Sequence, residues 1–235
     1  MLLEICVDDA AGLAEAVAGG ADRVELCAAL ALGGLTPSAG LMAQAAGCGL
    51  PCYPMIRPRS GDFVFGAADV AVMKADIRAA RAAGLTGAVL GATRGDGRLD
   101  AAVLGELVAE AAGLDLTLHR AVDLAPDPGE AVELAVALGF RRVLSSGGAR
   151  VAPEGRARLA EMVRLAAGRL SVMPGSGVTA ESWPLLAGLG VREVHASCAV
   201  ALPGVADSFG FVTGAERRTD RARVAALKAA LQTAG

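Results

Sequence analysis

Short β-branched or leucine-rich runs alternate along the chain with longer stretches rich in alanine and leucine. The short runs are typical of buried strands, and the longer stretches are typical of helices. The predicted strands are Leu3–Val7, Arg23–Cys27, Cys52–Arg57, Gly87–Gly91, Asp115–Arg120, Arg142–Ser146, Leu170–Pro174 and Arg192–Ser197. The predicted helices lie near residues 9–18, 38–47, 69–83, 100–112, 128–138, 154–167, 179–188 and 220–233.

Glycine follows several of the predicted helices, as at Gly84, Gly113 and Gly139, where a helix commonly ends. Ser38 and Asp127 are suited to cap the start of a helix. Eight strands alternating with eight helices, at about 29 residues per unit, predict a single (β/α)8 barrel of the TIM type over residues 1–235, closed by a C-terminal helix. A doubly wound sheet is the competing fold. The first strand lacks the glycine-rich loop of a dinucleotide site, which favours the barrel.

Composition excludes several classes of protein. The chain is 54% hydrophobic and 20% charged, which excludes a disordered protein. A net charge of −3 argues against nucleic-acid binding. No apolar run reaches the roughly 20 residues of a membrane span, and Met1–Glu4 do not resemble a secretory leader. We therefore expect a cytoplasmic protein whose five cysteines are reduced thiols.

Alternation along the strands turns an unusually polar set of residues toward the barrel interior. The set is Glu4, Cys6, Glu25, Cys27, Arg57, Thr117, His119, Glu193, His195 and Ser197. Barrel interiors are normally filled by branched apolar side chains, so this set indicates an active or binding site at the carboxyl ends of the strands. A structural ion-pair network of Glu4, Glu25 and Arg57 is the alternative interpretation.

Two carboxylates and both histidines of the chain suit acid–base chemistry on a small anionic substrate, such as a phosphorylated one. The candidate catalytic residues are Glu4, Glu25, Arg57, His119, Asp123 and His195. The candidate anion-binding residues, in loops after the last three strands, are Ser146, Gly147, Gly175, Gly177 and Ser197. Lys74 and Lys228 lie on helices, which disfavours a Schiff-base aldolase and favours an isomerase, epimerase or lyase.

Seven segments together resemble the CutC copper homeostasis family. They are LEICVDD, GGADRVELCAALALGGLTPS, MIRPRSGDF, LHRAVD, RVLSSGG, MPGSGV and EVHASC. The resemblance implies a (β/α)8 barrel, a cytoplasmic location, self-association into a homo-oligomer and copper(I) bound by Cys6 and Cys27. The chain departs from the family pattern at Val122 and after Ser197, where Cys198-Ala199 stand in place of an arginine.

Two functions follow, copper homeostasis with copper(I) at Cys6 and Cys27, or the acid–base enzyme described above. Copper(I) is soft and prefers sulfur ligands. Adjacent barrel strands are staggered, however, so we expect the two sulfurs to be near each other without forming a well-made metal site or a disulfide.

Overall fold

The computed structural model describes residues 1–202 and 216–233. The strands in these ranges are β1 (Leu2–Val7), β2 (Arg23–Leu26), β3 (Cys52–Pro54), β4 (Gly87–Leu90), β5 (Asp115–Leu118), β6 (Arg142–Ser145), β7 (Ser171–Pro174), β8 (Glu193–Ala196), β9 (Ala199–Ala201) and β10 (Arg217–Thr219). The α-helices are α1 (Ala10–Ala18), α2 (Ala39–Ala46), α3 (Ala67–Ala82), α4 (Ala101–Glu110), α5 (Pro128–Ala137), α6 (Arg156–Ala166) and α7 (Arg221–Thr233). None of the helices described is long and apolar enough to cross a lipid bilayer.

The first eight strands are parallel and form two four-stranded sheets, ordered β3-β2-β1-β8 and β4-β5-β6-β7. A parallel bridge between Met55 and Val89 joins β3 to β4, and β7 lies beside β8. With α-helices following most of the strands, this arrangement confirms the predicted (β/α)8 barrel.

The expected signals mark the helix ends. The Ser38 side chain accepts a hydrogen bond from the Leu41 amide, and Asp127 caps α5, which begins at Pro128. Gly84 and Gly139, which follow α3 and α5, both have a φ of +80°. A residue with a Cβ is strained in this left-handed region, so glycine at these positions ends the helix at little cost.

Two parts of the chain differ from the sequence-based expectation. The helix predicted near 179–188 is instead two short 3₁₀ turns, Trp183–Leu185 and Ala187–Leu189. Pro184 lacks an amide hydrogen and Gly188 is a poor helix former, which together disfavour a continuous α-helix. In addition, β9 and β10 form an antiparallel pair after β8. The predicted 1–235 domain also includes 203–215 and 234–235, which lie outside the described residues.

The main hydrophobic core lies between the barrel wall and the surrounding helices. Alternate strand residues such as Leu3, Ile5 and Val24 face outward and belong to the same buried hydrophobic cluster as helix residues such as Leu104 and Leu107. All five side chains are fully buried. Since one face of each strand is used for this core, the other face lines the barrel interior.

Alternation and strand register arrange the interior in layers of four residues drawn from every second strand. Upward from the amino-terminal end, the layers are Arg23, Gly87, Arg142 and Glu193; then Glu4, Tyr53, Thr117 and Met173; then Glu25, Val89, Leu144 and His195; then Cys6, Met55, His119 and Gly175. The polar residues therefore occupy all four layers rather than the carboxyl ends of the strands alone.

Candidate functional site

A buried ionic network fills the deepest layer of the barrel. Arg142 donates to Glu193 at 3.1 Å and to Asp115 at 2.8 Å, while Arg23 also ion-pairs with Glu193. Both guanidinium groups stack on the Tyr53 ring, at 5.1 Å for Arg142 and 5.3 Å for Arg23. A Cβ at Gly87 would lie 2.3 Å from this ring, so glycine provides the space for it. This network was not predicted from the sequence. Arg23 is two residues from the inward-facing Glu25 on the same strand, so its inward orientation could have been inferred.

Glu4 connects the ionic network to the layer above it. Its carboxylate ion-pairs with Arg23 on one side and accepts a hydrogen bond of 2.8 Å from Nδ1 of His195 on the other. Nε2 of His195 lies 3.6 Å from the carboxylate of Glu25. The sequence-based candidates Glu4, Glu25 and His195 are thus in one chain of contacts.

Burial and charge act in opposite directions on these groups. Burial would raise the pKa of Glu4, but His195 and Arg23 outweigh it and lower that pKa to about 2. Burial raises the pKa of Glu25 to about 7, and the attraction of His195 only partly offsets it. Burial would lower the pKa of His195, but Cys6, Glu25 and Glu4 raise it well above its usual value. Near neutral pH, the Glu25–His195 pair therefore holds an exchangeable proton.

Cys6 belongs to this cluster and Cys27 lies at its edge. The β1–β2 register sets Cys6 opposite Glu25, so Cys27 is two residues further along than Cys6. Donor atoms of Cys6, Glu25 and His195 lie within 4.8 Å of one another. The Cys27 thiol lies 3.7 Å from Glu25, and burial raises its pKa well above the usual value. Both cysteines are free thiols.

His119 and Arg57 lie in a second part of the site, next to Phe63. The His119 and Phe63 ring centroids are 4.8 Å apart, and the Arg57 guanidinium carbon lies 4.8 Å from the Phe63 centroid. Arg57 donates to the carbonyls of Leu32, Gly34 and Gly61, so among the described residues its partners are backbone carbonyls and not the carboxylates of the alternative ion-pair network.

Asp123 lies apart from both groups, in a 3₁₀ turn (Arg120–Leu124) that follows β5, and it binds the loop that follows β6. Its carboxylate accepts hydrogen bonds from the amides of Ser146, at 3.1 Å, and Gly148, at 3.1 Å, and it pairs with Arg120 at 2.9 Å. Burial would raise the pKa of Asp123, but hydrogen bonds from Ser145, Ser146, Arg120 and Gly148 lower it. Asp123 therefore holds this loop in shape.

Several backbone amides that the sequence suggested for anion binding are instead engaged in hydrogen bonds within the protein. The Ser146 amide donates to Asp123, the Gly147 amide to Ser145 Oγ at 2.8 Å, and the Gly175 amide to the Ser145 carbonyl at 2.9 Å. Gly177 and Ser197 instead line the cavity at the barrel mouth.

That cavity encloses about 1120 Å³ above the carboxyl ends of the strands. Its lining includes Cys6, Glu25, Arg57, His119 and His195, so it unites the two parts of the site. Glu4 lies below it. Three buried polar atoms of cavity-lining residues have no hydrogen-bond partner within the described part of the chain: Glu25 Oε1, Arg57 Nε and His119 Nε2. Buried polar atoms normally have partners, so these three atoms are the candidate contacts for a ligand in the cavity.

Solved structures of other proteins share this barrel. The chain superposes on a protein from Streptococcus agalactiae, described as the copper homeostasis protein CutC, with a TM-score of 0.80 and 32% identity over 84% of this chain and 98% of that one. Thiamine phosphate pyrophosphorylase from Pyrococcus furiosus has a TM-score of 0.63 at 13% identity, which shows a common fold alone.

Sequence relatives agree with the structural match. A CutC family protein from Sinorhizobium medicae is 56% identical over 235 residues, covering 98% of this chain and 96% of the relative. The sequence profile of the CutC family matches residues 1–200. These ranges include every strand of the barrel and all the site residues discussed above, so the chain belongs to the CutC family.

Proposed function

We propose that this CutC family protein takes part in copper homeostasis by binding copper(I) at Cys6 and His195, beside Glu25. The relative from S. agalactiae is described as a copper homeostasis protein, which supports the role. The observation that carries the site is the grouping of Cys6, Glu25 and His195 donor atoms within 4.8 Å. Thiolate sulfur is the ligand that copper(I) prefers, and imidazole is a good second ligand.

Neighbouring residues suit this assignment. Glu4 engages Nδ1 of His195, which leaves Nε2 as the ring nitrogen for the metal. A carboxylate behind a ligating imidazole is the usual way that proteins fix such a ring. Cys27 supplies a second sulfur near Glu25, on the next strand, so its place is that of an auxiliary ligand rather than the primary one.

An anaerobic copper(I) titration against a chromophoric chelator tests the proposal. We expect the wild-type protein to take copper from the chelator and Cys6→Ser to lose this ability. Cys27→Ser should bind copper(I) with lower affinity than the wild type. Cys48→Ser is the matched control, because Cys48 is a free thiol that does not line the cavity. If Cys6→Ser retains the wild-type affinity, copper is not bound at this cluster.

A second candidate function is acid–base catalysis on a small anionic substrate. It is favoured by the Glu25–His195 contact, since a carboxyl group whose pKa is near 7 accepts and returns protons readily at neutral pH. Deuterium exchange into small phosphorylated ketones in D2O, followed by NMR, would detect such proton transfer. We expect exchange with the wild-type protein and not with Glu25→Gln. The exposed Glu106→Gln is the matched control, and equal rates in all three proteins would exclude this function.

The family also suggests a cytoplasmic location and self-association. Light scattering coupled to size-exclusion chromatography measures self-association directly. A mass equal to a multiple of the 23.4 kDa chain is expected, and a monomer at micromolar concentration would contradict it.

A further inference from the structure

Arg57 is a buried cation without a countercharge among the described residues. Its side chain is only 4% exposed, and its terminal nitrogens donate to the Leu32, Gly34 and Gly61 carbonyls at 2.7–3.1 Å. These three bonds fix the guanidinium in place but contribute no negative charge. The third nitrogen, Nε, is buried and has no hydrogen-bond partner among the described residues. A buried charge is costly unless it is paired, so the site is incomplete without an anion.

His119 presents a second fixed donor in the same cavity. The Ala121 amide donates to Nδ1 of His119 at 3.1 Å, so Nδ1 carries no proton and the neutral ring carries its proton on Nε2. Burial and the nearby Arg57 charge lower the pKa of His119 to about 3, which keeps the ring neutral. Its Nε2 is buried and has no partner within the described residues.

Phe63 links the two donors. Its ring packs against both the Arg57 guanidinium and the His119 imidazole, and it belongs to the loop that follows Arg57. Gly91 provides space for the imidazole, since a Cβ there would lie 2.5 Å from His119 Cε1. Hydrogen bonds to the backbone therefore fix the Arg57 and His119 side chains, and the Phe63 ring packs against both.

We propose that Arg57 and His119 form a binding site for the carboxylate or phosphate group of a small-molecule ligand, which enters by displacing the Phe63 ring. Arg57 supplies the positive charge and its Nε–H donor, and His119 supplies a neutral Nε2–H donor for an oxygen of the same ligand. The site deepens the second candidate function by naming the group that its substrate carries, and it does not involve copper. It also lies away from the loops after β6 and β7, where the sequence had suggested an anion.

The two histidines make a direct binding test possible, because the imidazole region of a ¹H–¹⁵N spectrum then contains only two rings. Copper-free protein would be titrated at constant ionic strength with pyruvate and, separately, with inorganic phosphate. We expect one of them to shift the His119 Nε2 signal saturably and to leave His195 nearly unchanged. The ligand that does so distinguishes a carboxylate site from a phosphate site. The absence of a saturable shift with both would overturn the proposal.

Calorimetry on variants tests which residues bind the anion. Arg57→Lys keeps the charge but removes Nε–H, and His119→Phe keeps a ring but removes the donor. Each is expected to weaken binding by about tenfold or more, as for loss of a charge-assisted hydrogen bond. Arg59→Met is the matched control, because Arg59 lies in the same loop, does not line the cavity and ion-pairs with Asp62 and Asp69. Wild-type affinity in His119→Phe, or an equal loss in Arg59→Met, would contradict the assignment.

The two titrations separate this site from the copper proposal, because the anion titration uses copper-free protein. A saturable shift of the His119 signal there supports the anion site even if the chelator titration shows no copper binding. Retained circular dichroism and an unchanged His195 signal show that Arg57→Lys has folded, so a loss of binding in that variant reports on the site itself.

Discussion

Glu4 and His195 lie on adjacent strands and share a hydrogen bond of 2.8 Å, and the same carboxylate ion-pairs with Arg23 one layer deeper. A single residue therefore connects the ionic network at the amino-terminal end of the barrel to the cluster that faces the cavity. The carboxylate is fully buried, so each of these interactions acts with little screening by solvent.

Replacement of this carboxylate tests the connection. Glu4→Gln removes the charge that neutralises Arg23 and His195, and we expect the free energy of unfolding to fall by roughly 3 kcal/mol or more. Urea unfolding at pH 7 measures it. Glu106→Gln is the control, since Glu106 is 57% exposed and pairs with Lys74 at the surface, where a loss within about 1 kcal/mol is expected. Equal effects of the two substitutions would show that the buried network does not stabilise the fold.

The strands were predictable from sequence because their outward faces form regular apolar series, as Leu3, Ile5 and Val7 do. A stagger between Cys6 and Cys27 was expected because they lie on adjacent strands, but its size, two residues in the observed register, was not predictable. Register depends on how neighbouring strands tilt in the closed barrel, and no local pattern encodes that tilt.

The partners of the polar residues were less predictable than their orientation. Asp123 is a candidate catalytic residue in the sequence, but its carboxylate pairs with Arg120 and binds the loop after β6. That loop lies 22 or more residues away along the chain, and only the packing of β5 against β6 brings it close. Arg57 likewise donates to backbone carbonyls in loops whose conformation could not be predicted from the sequence.

The pKa values of the two buried histidines should be shifted in opposite directions from the ordinary value. Since burial lowers the pKa of His119 to about 3, the folded state binds fewer protons there than the unfolded state between pH 6.5 and pH 3. His119 therefore contributes stability that is present above pH 6.5 and is lost as the pH falls toward 3, by on the order of 5 kcal/mol in total. The pKa of His195 is raised, so its contribution is lost as the pH rises above 6.5.

A pH series of imidazole ¹H–¹⁵N spectra measures both residues at once. We expect one ring to remain neutral with its proton on Nε2 at pH 5 and the other to be doubly protonated at pH 7. Two rings that titrate together near pH 6.5 would show that neither environment acts as described.

The loop after β6 should tolerate no side chain at Gly147. This residue has a φ of +70°, and a Cβ there would lie 2.2 Å from the Gly155 carbonyl oxygen. We expect Gly147→Ala to destabilise the protein by about 3 kcal/mol, since strain and a backbone clash add together. Gly105→Ala is the control, because Gly105 lies within α4 with no other atom in the way, and alanine there should stabilise by up to about 1 kcal/mol. Thermal unfolding of both variants checks the contrast, which a mild effect at Gly147 would contradict.

The sulfur atoms of Cys48 and Cys52 lie 3.4 Å apart in the reduced protein. Cys48 is half-buried in the turn after α2, so a soluble oxidant reaches it first, and Cys52 is the adjacent thiol that completes a disulfide. Each thiol gives up one proton and one electron to diamide, which is reduced to its hydrazine as the sulfur–sulfur bond forms. We expect brief diamide treatment to lower the number of free thiols from five to three.

Thiol counting under denaturing conditions after treatment measures the change, and peptide mapping identifies the linked pair. Cys48→Ser has four thiols and should keep all four, because the remaining cysteines are buried and Cys52 has lost its neighbour. Loss of two thiols in that variant as well would place the reactive pair elsewhere, with Cys6 and Cys27 as the pair to examine next.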